Sequence, residues 1–242
     1  MFDFFIKSGH KVCQDYAYIT DNIALISDGC STGKDTDIGA RLLVHSYLLK
    51  QNIRDAIHHA NNLRKSLQLD PSSLCATLGI LQIDQNQIDV GLWGDGICIV
   101  KLKNTCPCVI RIEYEKAPYY PIYQLYGHEA YIEQFGEPTF TEIYNDLNPP
   151  CIVQTKYISS GGSLALTLEQ SEIDYVLLST DGLSSFTQDI ISELLDFKGL
   201  NGKFLERRFQ SLFKRKWQNL THFDDIGVIG YVPICEEQKN SD

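Results

Sequence analysis

The sequence predicts a layered α+β fold, not a chain of alternating β–α–β units, and two observations carry this. Short apolar runs bounded by turn residues come in blocks. Phe2–Lys7, Tyr16–Thr20 and Ile23–Ser27 form one block, and Leu74–Ile83, Ile88–Trp93, Ile97–Leu102 and Val109–Glu113 form another. Helical periodicity is confined to two places between and after these blocks, the pattern of sheets with helices laid over them.

The first helical block begins at Thr36-Asp37, good N-cap chemistry, and runs through Ile38-Gly39-Ala40-Arg41-Leu42-Leu43 towards Lys50. A second helix keeps Ile53, Ala56, Ile57, Ala60, Leu63 and Leu67 at three- and four-residue spacing, and should end before Asp70-Pro71 because the residue ahead of a proline avoids the α region. After the second block of strands, a Tyr- and Pro-rich stretch from Ala117 to Gly162 has weak periodicity and too few apolar positions for its own core. It reads as a flap-like surface insertion, not a second domain. Its tyrosines, Tyr119, Tyr120, Tyr123, Tyr126, Tyr131 and Tyr144, suit either recognition or packing onto the body. Strands follow at Cys151–Gln154 and Tyr175–Thr180. Thr187-Gln188-Asp189 can then cap a helix over Ile190–Phe197. Beyond Gly199–Gly202 an amphipathic helix takes in Phe204, Leu205, Phe209 and Leu212. Its Arg207, Arg208, Lys214, Arg215 and Lys216 read as a solvated face. Ile226–Val232 is the last strand. The expectation is one domain over residues 1–242.

Composition narrows the classes. Among 242 residues, 21 Lys and Arg stand against 31 Asp and Glu, a formal charge of −10, which argues against nucleic-acid binding through phosphate contacts. Hydrophobic residues make up 43%, enough for a real core, yet no apolar run approaches the roughly 20 residues of a membrane-spanning helix. Met1-Phe2-Asp3-Phe4-Phe5-Ile6-Lys7 lacks a basic segment followed by an apolar one, so no signal peptide is read. A soluble, cytoplasmic protein, monomeric and without membrane partners, is expected. The eight cysteines, at 13, 30, 75, 98, 106, 108, 151 and 235, include no C-x-x-C and read as free thiols.

The chemistry-bearing residues are acidic. Apolar runs end in Asp-Gly at Asp28-Gly29, Asp95-Gly96 and Asp181-Gly182. Asp-Gly readily makes a type I′ hairpin turn, and that reading suits Gly94-Asp95-Gly96, where another strand follows at once. It suits the other two poorly, because Asp28-Gly29 and Asp181-Gly182 each lead towards a helix. Gln14-Asp15 precedes one strand and Asp224-Asp225 opens another. If these strand ends lie side by side, Asp15, Asp28, Asp181 and Asp224 form a group that repels itself unless cations neutralise it. Hard Mg²⁺ or Mn²⁺ takes oxygen ligands of this kind.

Six segments in order, Gly9-His-Lys-Val-Cys-Gln-Asp15, Ala24-Leu-Ile-Ser-Asp-Gly29, Ala76-Thr77, Gly94-Asp-Gly96, Leu177-Leu-Ser-Thr-Asp-Gly182 and Asp224-Asp-Ile-Gly-Val-Ile229, resemble the type 2C metal-dependent protein phosphatases over roughly residues 8 to 232. The resemblance implies a four-layer α/β/β/α sandwich of two antiparallel sheets flanked by helices, holding two Mg²⁺ or Mn²⁺ ions. It implies hydrolysis of phosphoserine and phosphothreonine in phosphoprotein substrates by a metal-bridging hydroxide. Carried over residue by residue, Asp28, Asp181 and Asp224 are the catalytic carboxylates. Asp28 bridges the two metals, the Gly29 carbonyl and Asp15 serve as further ligands, and Asp181 and Asp224 hold the second ion. Asp95 matches a position that contributes to a third, weaker metal in some members. Two positions depart from the family: Gln14 stands where many members have Glu, and His10 stands where an Arg grips substrate phosphate, so His10 or the neighbouring Lys11 takes that role here. These departures leave a binding or regulatory module on a phosphatase fold as the alternative.

Other nucleophile and nucleotide motifs are missing. Gly29-Cys-Ser-Thr-Gly33-Lys34-Asp35 is one residue short of a Walker A loop, and Asp35 replaces its hydroxyl. Cys30 has no Arg six positions on, neither H-E-x-x-H nor G-x-S-x-G occurs, and His58-His59 reads as an exposed pair on the second helix.

Overall fold

Alternation of apolar residues and antiparallel pairing build two sheets. The computed structural model describes residues 1–114, 116–136, 140–142, 163–216 and 224–233. The strands are β1 (Phe2–Lys7), β2 (Asp15–Ile19), β3 (Ile23–Asp28), β4 (Leu78–Asp84), β5 (Gln87–Trp93), β6 (Gly96–Leu102), β7 (Cys108–Tyr114), β8 (Phe140–Glu142), β9 (Ser163–Glu169), β10 (Ile173–Ser179) and β11 (Ile226–Tyr231). One six-stranded sheet runs β1-β11-β10-β6-β7-β8, and a five-stranded sheet runs β2-β3-β4-β5-β9. The helices are α1 (Thr36–Lys50), α2 (Ile53–Ser66), α3 (Tyr123–Tyr126), α4 (His128–Phe135), α5 (Gln188–Leu195) and α6 (Phe204–Lys216).

Three apolar clusters define four layers. Ile26, Leu81, Val90, Val100, Val176 and Ile229 fill the space between the sheets. Leu25, Leu78 and Ile80, on the opposite face of the five-stranded sheet, pack with Leu43, Val44, Ala56 and Ile57 of α1 and α2. Ile97, Ile99, Leu177 and Val228 face outwards from the six-stranded sheet onto Leu194, Leu205, Phe209 and Leu212 of α5 and α6. Successive side chains on a strand point to opposite faces, which is why neighbours such as Leu25 and Ile26 join different clusters.

Several expectations need correction. The fourth strand begins at Leu78, not Leu74, because Pro71–Leu74 form a 3₁₀ turn in which the Asp70 carboxylate accepts from the Ser72 N–H at 2.9 Å and its hydroxyl at 2.7 Å. Strand β9 was not foreseen, although Leu164, Leu166 and Leu168 alternate cleanly. Cys151–Gln154 and Tyr144 lie outside the described residues. Thr36 does not cap α1; its hydroxyl donates to the Cys30 carbonyl at 3.0 Å, and the N-cap is Asp35 in the left-handed region at φ 57°. Thr187 makes no side-chain cap on α5. The basic face of α6 is partly structural. Arg208 donates to the Leu194 and Glu193 carbonyls at the end of α5, and Arg215 pairs with Glu193 at 3.1 Å. Cations there complement the negative end of the α5 dipole. His59 is half-buried and shares a 2.9 Å hydrogen bond with Ser46.

In the insertion, packing wins over display. Tyr119, Tyr120 and Tyr131 are 2%, 7% and 2% exposed, and only Tyr126 among the described tyrosines of this stretch is largely exposed. Tyr120 and Ile122 join the cluster under α1 and α2, and the Tyr131 hydroxyl donates to the Ala117 carbonyl at 2.5 Å. No helix among the described residues is long and apolar enough to cross a membrane. Cys13, Cys30, Cys75, Cys98, Cys106 and Cys108 are free thiols.

Candidate metal centre

The acidic strand ends converge between the sheets. β2 and β3 pair antiparallel with Asp15 opposite Asp28, so the start of one strand and the end of the next bring two carboxylates face to face. Thr77, just ahead of β4, fixes Asp28 by its backbone: its hydroxyl accepts from the Asp28 N–H at 3.0 Å, and its own N–H donates to the Asp28 carbonyl at 2.8 Å. From the other sheet, Thr180 follows β10 directly and precedes Asp181. Its hydroxyl donates to Asp15 Oδ2 at 2.8 Å and accepts from the Gly227 N–H at 2.9 Å. A Cβ at Gly227 would stand 2.9 Å from Asp15 Oδ2, so this close approach of the sheets at the carboxylate requires glycine.

Asp95 arrives by a different route than expected. β5 pairs with β4 and β9, whereas β6 pairs with β10 and β7, so Gly94-Asp95-Gly96 is no hairpin; it carries the chain from one sheet to the other. Gly94 takes φ +87° with Thr77 against it, a Cβ there standing 2.8 Å from Thr77 Cγ2. The crossover thereby sets Asp95 beside the strand that holds Asp28.

Asp28, Gly29, Asp95, Asp181 and Asp224 line one cleft of about 380 Å³, walled on the insertion side by Lys116, Tyr120, Tyr123 and Phe135. Asp15 lies beneath it, 3% exposed. Burial, with the like charges of Asp225 and Asp181 adding to it, pushes the Asp15 carboxyl up to about 7. Burial and the facing carboxylates of Asp15 and Asp181 raise Asp28 well above its usual value. Burial and Asp224 raise Asp181, and burial and Asp181 push Asp95 up to about 7. Each shift has the same origin, charge crowded out of water beside charge of the same sign.

Asp225, which the sequence reading passed over, behaves oppositely. Burial works to raise it, yet it accepts from the N–H groups of Gln14 at 2.6 Å, Gly9 at 2.7 Å and His10 at 3.2 Å and from the Ser8 hydroxyl at 3.0 Å, which together lower it. It therefore gathers residues 8–14 over the site and sets Asp15 at the start of β2. His10 Nε2 lies 3.0 Å from Asp224 Oδ1, with the two side chains 41% and 44% exposed. Neither His10 nor Lys11 lines the cleft; Lys116 does. Gln14 turns its amide onto the Thr36 hydroxyl at 2.8 Å and the Cys30 carbonyl at 3.3 Å, away from the carboxylates. Lys116 was missed because it sits in irregular chain with no periodicity. Asp225 was missed because nothing in an Asp-Asp doublet says which carboxylate turns inward.

The donor set suits a hard divalent cation. Asp15 Oδ1 and Asp181 Oδ1 are buried with no hydrogen-bond partner, so two carboxylate oxygens in the cluster still want a proton or a cation. Among the described residues, no three His, Cys, Asp or Glu side chains already stand as a closed cage.

No protein-family model and no curated protein matches the sequence. Solved structures do match in fold. A bacterial serine phosphatase superposes with a TM-score of 0.60 at 15% identity, over 97% of this chain and 98% of that one. The serine/threonine phosphatase Stp1 from Staphylococcus aureus gives 0.59 at 14% identity, over 97% and 94%. The catalytic domain of the serine/threonine protein phosphatase PstP, in complex with two manganese ions, gives 0.52 at 13% identity, over 95% and 96%. The chain thus has the fold of the bacterial serine/threonine phosphatases along nearly its whole length, which is the architecture the type 2C resemblance implies.

Proposed function

We propose that the protein is a metal-dependent phosphoprotein phosphatase that hydrolyses phosphoserine and phosphothreonine. The observation that carries this reading is the convergence of Asp28, Asp95, Asp181 and Asp224 from both sheets at one cleft, with Asp15 buried beneath it and two buried carboxylate oxygens unpartnered. Asp28, Asp181, Asp224, Asp15 and the Gly29 carbonyl would hold two Mg²⁺ or Mn²⁺ ions, with Asp95 available to a third. Bound there, such ions supply Lewis acidity and lower the pKa of coordinated water for attack on phosphorus.

The chain's own groups prepare that chemistry. Thr180 holds Asp15 in one orientation through its hydroxyl. Asp225 draws residues 8–14 into place, and His10, hydrogen-bonded to Asp224, orients that carboxylate instead of reaching into the cleft. Lys116, on the cleft wall, offers a flexible positive charge to phosphoryl oxygens, the role that His10 or Lys11 was expected to fill. Tyr120, packed into the cluster under α1 and α2, closes one side of the cleft and limits water there.

A binding or regulatory module on the same fold is the second reading. It is favoured by Gln14, whose neutral amide is spent on Thr36 and Cys30 and brings no charge to the site. Hydrolysis of a phenyl phosphate ester and a phosphothreonine peptide, measured with and without Mn²⁺, separates the two. An enzyme turns over both in a metal-dependent way, and a module turns over neither at millimolar Mn²⁺.

A further inference from the structure

We propose that a second cavity, on the outer face of the six-stranded sheet, binds a small organic anion with an apolar body. The cavity measures about 380 Å³ and shares no lining residue with the acidic cleft. That is within the usual size of small-molecule sites, which are mostly apolar with a few placed polar groups.

The fold explains why the space exists. Ile97, Ile99 and Lys101 share the outward face of β6, and Val109 and Arg111 that of β7. Helices α5 and α6 cover the part of this face bearing Ile97, Ile99 and Leu177. Towards β7 the cover is the end of α5 and residues 196–200, and a hollow remains between them and the sheet. Tyr175, Ile191, Leu195, Phe197 and Leu200 give it apolar walls.

Charge identifies the occupant. Four charged side chains line the cavity: Lys101, Arg111, Asp174 and Asp196. Lys101 is already committed, 2.9 Å from Asp174 and 3.0 Å from the Leu102 carbonyl. Asp196 is exposed to water. Among the described residues the Arg111 side chain makes no hydrogen bond or ion pair, and its Nε is buried without an acceptor. A guanidinium cannot shed its charge, carries five donors and holds them in a planar fork that fits a carboxylate or a phosphate. An anionic head on Arg111 with its apolar tail against Phe197 and Leu200 satisfies both halves of the site. The shared chemistry is a singly attached anionic head, from a carboxylate or from a phosphate monoester.

The test is calorimetric titration of the full-length protein, in buffer without divalent metal, with octanoate, octyl phosphate and octanol. The expected result is saturable binding of at least one anion and none of octanol; whichever anion binds more tightly identifies the head group. Arg111→Gln should weaken that binding by about tenfold or more, the worth of one charge-assisted contact. Ser192→Trp, at an exposed lining position where the new ring blocks the cavity without entering the core, should weaken it similarly while melting at the wild-type temperature. Affinities unchanged in both variants, octanol binding as tightly as the anions, or no saturable binding of either anion up to about 10 mM would each overturn the proposal.

Discussion

Replacing Asp15 by Asn tests the electrostatic account of the acidic centre most directly. A carboxyl with a raised folded-state pKa holds its proton longer folded than unfolded, so the metal-free protein loses stability as pH climbs from about 4 through 7. With Asp15 moved from 3.8 to about 7, the charge penalty is about 4 kcal/mol at pH 7.5 and about 1.5–2 kcal/mol at pH 5. Asn keeps the Thr180 hydrogen bond through its carbonyl oxygen, and its amide can donate to the facing Asp28. Metal-free Asp15→Asn should therefore melt higher than wild type, with the gain at pH 7.5 exceeding that at pH 5 by about 2–3 kcal/mol, or about 5–10 °C for a chain of this size. Mn²⁺ should reverse the order at pH 7.5: it raises the wild-type melting temperature by replacing the protons and does so much less in the variant. Scanning calorimetry at both pH values, with and without metal, reads all four states. A variant that melts lower than wild type by the same amount at pH 5 and pH 7.5 would refute the reasoning, because Asp15 would then be a neutral packing group.

Asp28→Asn should remove metal-dependent hydrolysis by about 10³-fold or more and abolish the Mn²⁺-induced rise in melting temperature, with circular dichroism unchanged. Lys116→Ala should raise KM for a phosphothreonine peptide about threefold to tenfold with little change in kcat, since an exposed cation on a phosphate is worth about 1 kcal/mol; an unaltered KM in steady-state kinetics would return His10 and Lys11 to consideration. Tyr131→Ala should cost about 3–5 kcal/mol in urea unfolding, because the ring is 2% exposed and its hydroxyl is bonded to Ala117.

What the sequence revealed and what it hid divide along a physical line. Asp28 and Asp181 stood out because a carboxylate at the end of an apolar strand, followed by a turn towards a helix, is a local pattern. The helices over Ile53–Ser66 and Phe204–Lys216 were equally legible from their apolar spacing. Asp95 was misread because Gly-Asp-Gly chemistry is the same whether the next strand returns to its neighbour or crosses to another sheet, and only long-range pairing decides. Residues whose role depends on a partner more than a hundred positions away, such as Thr180 on Asp15 and Asp225 on Gln14, leave no local trace. The caps failed for a related reason: the Thr36 hydroxyl had a better acceptor in the Cys30 carbonyl than any helix N–H. β9 is the exception, since its Leu164, Leu166 and Leu168 alternation was present and went unread.

The crowding at the acidic centre bears on the choice between a metal site and an inert scaffold. Four carboxyls raised by burial and by one another oppose folding at neutral pH, and the three apolar clusters hold the sheets together against that repulsion. Groups that break the rule against buried like charge persist where function uses them. In a scaffold that only binds a partner, asparagine at 15, 28 or 181 would keep the shape and lose the repulsion. Glycine at 227 lets β11 stand against Asp15, the Thr180 bridge fixes that carboxylate, and the Gly94 crossover delivers Asp95 to the same cleft. On the proposed reading cations offset this crowding at the two unpartnered oxygens, and the metal-free melting curves of wild type and Asp15→Asn will show how much of that repulsion the fold carries without them.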